Sequence, residues 1–162
     1  GKNLMACISF AAEEGEEVIV KTSVSAVSTA GATLNLQELN GMTFDALREK
    51  GVGLWEKELS KYQIEAKPEV KEAFYTAAYR AALHPFVFQD ADGQFRGLDK
   101  NIEKAGGFTN YTVFSLWDTY RALHPWFNLV HQDVNADIAN SMLAHYDKSV
   151  EKMCADMVFL WQ

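Results

Sequence analysis

Apolar and polar positions along this chain change period near residue 30. Before it the period is two. Leu4, Ala6, Ile8 and Phe10 alternate with other residues, as do Val18, Val20 and Thr22, the pattern of half-buried strands. Glu13-Glu14-Gly15-Glu16-Glu17 reads as a polar turn between them, so the pair predicts a hairpin whose second strand runs on to Ser28. A two-stranded hairpin is marginal alone, and the chain supplies no later partner sheet. From Leu34 the period is helical. Leu34, Leu36 and Leu39 precede a break at Asn40-Gly41. Thr43 then caps a helix bearing Phe44, Leu47, Val52, Leu54, Trp55 and Leu59, with Gly51 and Gly53 as its weak points. Pro68, followed by Glu69 and Glu72, opens a third helix that runs to Leu83 and stops at His84-Pro85. Its alanines at 77, 78, 81 and 82 allow close approach of another helix.

Asp92-Gly93 predicts a tight hairpin turn. Gly106-Gly107 marks a loop, and Tyr111 to Phe114 an extended lead-in to the stretch Ser115 to Trp126. There Leu116, Tyr120 and Leu123 share one helix face, Ser115 is placed to cap it, and Pro125 is expected to stop it. Phe127, Leu129 and Val130 predict a short helical turn. Asn135 is expected to cap a last helix with Ile138, Met142, Leu143 and Tyr146 on one face and Lys148, Glu151 and Lys152 at a solvated end. Residues 154–162 are apolar without a matching polar face. The fold class read from these patterns is mostly α with a short N-terminal β-hairpin.

Composition narrows the functions. The chain has 162 residues, 48% of them apolar, which supports a real core. Its net charge is −7, from 15 basic and 22 acidic residues, with no basic cluster, so nucleic acid and anionic lipid are not expected as partners. No apolar run reaches the ~20 residues that cross a bilayer, so no membrane insertion is expected. Gly1-Lys2-Asn3, with a short apolar stretch and then acidic residues behind it, lacks the pattern of a signal peptide. Cys7 and Cys154 have no metal-ligand spacing and are expected as free thiols, a long-range disulfide being the alternative. Asp90, Asp92 and Gly93 faintly resemble a calcium loop but lack the closing Glu at the required spacing.

The chemistry concentrates at Trp117-Asp118, in the first turn of the helix after Ser115. An indole beside a carboxylate suits a sugar ring, whose C–H face stacks while its hydroxyls donate. The alternative, open at this point, is a buried tryptophan beside an aspartate that serves the helix end.

The middle of the chain resembles glycoside hydrolase family 92, the bacterial exo-acting α-mannosidases. The resemblance rests on Phe74-Tyr75-Thr76 with Tyr79, on the run Asp90 to Gly97, and on the run Tyr111 to Pro125, and extends over about residues 15–153. It implies a piece of a much longer protein: residues 1–30 the end of an N-terminal β-sandwich, 31–66 a helical linker, and 67–162 the first helices of a catalytic (α/α)6 barrel. It further implies inverting, calcium-dependent hydrolysis of terminal α-linked mannose from glycans, in a secreted, periplasmic or cell-surface parent. Trp117 and Asp118 would then bind the terminal mannose, and Arg121 would either support Asp118 or serve as a buried ion-pair partner. The general acid, the base and the calcium ligands are expected outside this chain. No residue here is assigned a catalytic or metal role, and the isolated chain is expected to be inactive. Its uncovered apolar faces are expected to self-associate. The rival reading is a non-catalytic module, either a carbohydrate binder or a helical self-association domain.

One segment departs from the family. Beyond Lys152-Met153 the family continues Pro-X-Trp-Ser-Phe-X-Gly-Asn-Glu, ending on the general acid, whereas this chain reads Ala155-Asp156-Met157-Val158-Phe159-Leu160-Trp161-Gln162. Codons GCC GAT ATG GTC TTT CTA TGG CAA encode these residues and, read one nucleotide later, give Pro-Ile-Trp-Ser-Phe-Tyr-Gly. We expect residues 154–162 to be a frameshifted reading of the family motif. Sequencing the DNA through these codons checks this, and codons incompatible with the alternate frame remove it.

Overall fold

A computed structural model describes residues 5–112 and 114–160, with side chains described up to Asp147. Helix α1 (Thr29–Leu36) leads through a 3-10 turn into α2 (Phe44–Leu59) and then α3 (Pro68–Ala81). Four short strands follow: β1 (Phe86–Val87), β2 (Gln94–Arg96), β3 (Ile102–Lys104) and β4 (Tyr111–Thr112). The chain closes with α4 (Leu116–Thr119), α5 (Leu123–Val130) and α6 (Gln132–Leu160). β1 pairs antiparallel with β4 and β2 with β3, in two separate ladders. Among the described residues no helix is long and apolar enough to cross a membrane.

The helical predictions hold where side chains fix the ends. Thr43 caps α2 by accepting from the Ala46 N–H at 3.2 Å, and Pro68 opens α3. Gly51 and Gly53 leave open space around them, and α2 runs through both. Trp55 of α2 packs on Tyr79 of α3 with ring centroids 4.4 Å apart. Below this pair, Tyr62 is buried against Phe74 and Trp126, and the Tyr75 hydroxyl donates to the Tyr62 carbonyl at 2.8 Å.

The predicted N-terminal hairpin is absent. Among the described residues no strand forms before β1, and Ile8, Phe10, Val18, Ile19 and Val20 are all exposed, so no face is buried to fix a register. Leu4 lies outside the described residues. The carbonyls that a ladder would use are taken by side chains instead. Asn35 donates to Val24 O at 3.0 Å, and Arg96 donates from Nε to Ala26 O at 2.6 Å and from a second nitrogen to Val27 O at 3.2 Å.

This stretch converges on Asp90, only 4% exposed. Its carboxylate accepts from Ser25 Oγ at 2.6 Å and from Asn35 Nδ2 at 2.9 Å. Asn35 returns the contact, its Oδ1 accepting from the Ala91 N–H at 2.8 Å. Gly31 sits so close that a Cβ there would strike the Asp90 carboxylate. Asp90 serves Ser25 and Asn35, and Asp92 accepts from the backbone and side chain of Gln94. The Asp92-Gly93 turn forms, with the Gly93 N–H donating to Asp90 O at 2.8 Å and the Asp90 N–H to Gln94 O at 2.7 Å, but the strands on either side of it pair elsewhere. β2 turns back on β3 through residues 97–101, and β1 waits for β4.

Helix α6 carries this strand region. Ser141, fully buried, accepts from the Tyr111 N–H at 2.9 Å and donates to Asp137 O at 2.7 Å. Asp137 itself accepts from the Thr109 N–H at 3.1 Å. Asn110, also fully buried, locks β4 to β1 through Phe88 and Gln89. Ile138 faces inward, but Leu143 and Tyr146 of its predicted face are exposed. Lys148, Glu151, Lys152 and Cys154 lie outside the described side chains, whereas Cys7 is an exposed free thiol.

Burying a carboxylate is tolerated only while its donors remain. Asp90→Ala, which leaves Ser25 and Asn35 without their acceptor, should lower stability by about 3 kcal/mol in urea unfolding. Asp92→Ala, at an exposed position, should leave the midpoint near that of the parent.

Candidate functional site

The stretch that holds Trp117 and Asp118 is built differently from its predicted single helix. α4 ends at Thr119, the backbone breaks at Ala122, and α5 starts at Leu123. Pro125 therefore stops nothing. It occupies the first turn of α5, where the backbone N–H that proline lacks would have had no helical partner.

Ser115 stands at the N-cap position of α4, yet its hydroxyl makes no bond to the helix backbone. It donates to Asp118 Oδ2. Asp118 Oδ1 accepts no hydrogen bond among the described residues, so one carboxylate oxygen is held and the other is open. Arg121, expected to support Asp118, turns instead to Tyr120, donating from Nε to the phenol oxygen at 2.8 Å and lying over its ring at 5.7 Å. Trp117 is 77% exposed, which corrects the alternative of a buried tryptophan. Asp118 lines a cavity of about 380 Å³ with Phe74, the alanines of α3 at 77, 78 and 81, Thr119 and Trp126. Trp117 is adjacent in the chain but not part of that lining.

A chain of polar contacts sets the α4–α5–α6 corner behind this cavity. Thr119 Oγ1 lies 3.0 Å from His124 Nε2, His124 Nδ1 lies 2.8 Å from Asn135 Oδ1, and Asn135 Nδ2 donates to Asn128 Oδ1 at 2.7 Å. Asn135 is thus no cap. α6 starts three residues earlier, at Gln132, and the Asn135 side chain is spent on the corner. The Ser-x-x-Asp spacing of Ser115 and Asp118 was visible in the sequence, whereas nothing in it linked His124 to Asn135.

Four other carboxylates are engaged by donors, Asp92 and Asp99 locally by Gln94 and Asn101, and Asp90 and Asp137 across the fold by Ser25, Asn35 and Thr109. Among the described residues no three His, Cys, Asp or Glu side chains converge to hold a metal ion.

The family model for the glycosyl hydrolase family 92 catalytic domain matches residues 31–158. The chain belongs to glycosyl hydrolase family 92. It is similar to the family GH92 α-mannosidase BT3965 from Bacteroides thetaiotaomicron, with 78% identity and a TM-score of 0.77 over 80% of this chain and 17% of that chain. The same relative has also been solved in complex with mannoimidazole, and matches equally well. A further family 92 glycosyl hydrolase, ccman5, is 28% identical with a TM-score of 0.72, over 75% of this chain and 17% of that one. The chain thus spans about a sixth of the relatives it matches. No curated protein sequence matches it.

Exposure separates the tryptophans of this family 92 segment. Trp117→Ala should change stability by less than about 0.5 kcal/mol, as for an exposed surface position. Trp126→Ala, which removes a ring from the Tyr62 and Phe74 cluster, should cost about 3 kcal/mol. Paired thermal melts of the two variants check the difference.

Proposed function

We propose that this chain carries part of the terminal-mannose subsite of an α-mannosidase that cleaves α-linked mannose from glycans with inversion. The observation that carries the reading is the Trp117-Asp118 step. An exposed indole stands next in the chain to a carboxylate that has one oxygen bonded to Ser115, the other without a hydrogen bond among the described residues, and that lines a cavity. The sugar's C–H face would lie on the indole while a ring hydroxyl donates to Asp118 Oδ1. The cavity volume lies within the range of small-molecule sites, and the 78%-identical relative is an α-mannosidase solved with mannoimidazole.

On this reading residues 1–30 end a β-sandwich, 31–66 form a linker and 67–162 begin an (α/α)6 barrel. The family's catalytic-domain match starts at residue 31, which supports the first boundary. Inversion needs an acid on the leaving oxygen and a base on a water, with carboxyls about 6.5–9.5 Å apart. The reading assigns both, and calcium, to residues outside this chain, and places the whole enzyme outside the cytoplasm. Arg121 acts on Tyr120 and not on the substrate. A second reading, self-association, is favoured by the exposed apolar side chains of Phe44, Leu54, Val70 and Leu129.

The isolated chain should not turn over an aryl α-mannoside with calcium present, and turnover by pure protein would refute this division of labour. In a family 92 enzyme containing this segment, Asp118→Asn should lower kcat/KM by about 10- to 100-fold through loss of a charged hydrogen bond. A full-activity variant would remove Asp118 from the subsite. Sedimentation across a concentration range tests self-association.

A further inference from the structure

Asp118 stands on a short support. α4 is a single turn of four residues, too short to hold its shape alone. The turn closes on the Ser115 carbonyl, which accepts from the Asp118 N–H at 3.0 Å and from the Thr119 N–H at 3.1 Å. Ser115, Trp117, Asp118 and Tyr120 are exposed, whereas Leu116 and Thr119 are half-buried and fasten the turn to the rest of the chain. The backbone breaks at Ala122, so no continuous helix carries the geometry of α5 back to Asp118.

Thr119 makes the polar fastening. Its Oγ1 lies 3.1 Å from Ser115 O and 3.0 Å from His124 Nε2. One hydroxyl proton does not serve both. Ser115 O already receives two N–H groups, which occupy the two lone pairs of a carbonyl. The proton therefore belongs to the contact with His124. On the far side of the imidazole, Nδ1 lies 2.8 Å from Asn135 Oδ1, and Asn135 spends its Nδ2 on Asn128 Oδ1 at 2.7 Å. This network puts the imidazole proton on Nδ1 and leaves Nε2 as the acceptor for Thr119. One rigid ring thus joins α4 to α6, holding Thr119 with one nitrogen and Asn135 with the other.

Thr119 lines the same cavity as Asp118, and His124 is not part of that lining. His124 acts from behind the wall. We propose that His124 is a positioning residue for Asp118: through Thr119 it anchors the single turn that aims the carboxylate at the cavity. It touches no substrate. Its consequence for catalysis rests on the reading of Asp118 as a mannose contact, whereas its hold on the carboxylate does not.

Side-chain carboxyl carbon resonances of the whole chain test the hold, and kcat/KM of a family 92 enzyme containing this segment tests the consequence. The Asp118 resonance, assigned with Asp118→Asn, should move in Thr119→Val and in His124→Asn, each of which cuts the Thr119–His124 bond. It should return toward its parent position in His124→Gln, whose amide oxygen reaches the place of Nε2. The Asp137 resonance, held by the Thr109 N–H, should stay in place throughout and marks an intact fold. Thr119→Val, which keeps the shape of the side chain, covers the case in which loss of the imidazole unfolds the corner. We expect kcat/KM to fall about three- to ten-fold in Thr119→Val and His124→Asn, to fall no further in the double variant, and to recover most of the loss in His124→Gln. An Asp118 resonance unmoved by Thr119→Val, or a displacement that His124→Gln shares in full, overturns the proposal. A displaced resonance combined with full activity of Asp118→Asn keeps the positioning role and removes the mannose reading.

Discussion

A carboxylate with almost no access to water must find its donors inside the protein, and for Asp90 they come from much earlier in the chain. This fixes more than one side chain. Ser25 and Asn35 are drawn to it, Val24 and Ala91 follow through Asn35, and Gly31 is the only residue type that fits beneath the carboxylate. The position of α1 relative to the strand region is a consequence. The strand region in turn rests on α6 through Ser141 and Asp137, and α6 sets the corner that carries Trp117 and Asp118.

The buried set is polar to an unusual degree for so helical a chain. Asp90, Asn110, His131 and Ser141 are as enclosed as Tyr62, Phe95, Phe127 and Ile138. Hydrogen bonds between distant segments specify one arrangement where packing alone would permit several. Meanwhile large apolar residues such as Phe44 and Leu129 remain at the surface. In a family 92 segment that spans about a sixth of its relatives' length, these two facts are compatible.

The sequence was legible where one residue type acts on its own neighbourhood. Thr43 and Pro68 mark helix starts by local chemistry, and the structure keeps both. It was misleading where partners are remote. Alternation around Val18 and Val20 describes a strand, but a strand exists only with a neighbour to pair with, and side chains of Asn35 and Arg96 took the carbonyls farther along. Asn135 has the right chemistry for a cap and was claimed by His124. Pro125 shows that proline bars a helix interior but suits a first turn. Around Asp118 the support expected from Arg121 comes from Ser115 instead, because Arg121 found a phenol next door while Ser115, at helical spacing, found the carboxylate.

Arg96 spans three carbonyls, those of Ala26, Val27 and Lys100, with one planar fork. A guanidinium holds such an array rigidly, while a lysine would offer a single point of attachment. The clasp pins the leading stretch to the 97–101 turn just after Val24 and Ser25 have been tied to Asn35 and Asp90, so a load applied ahead of residue 24 is shared between α1 and that turn.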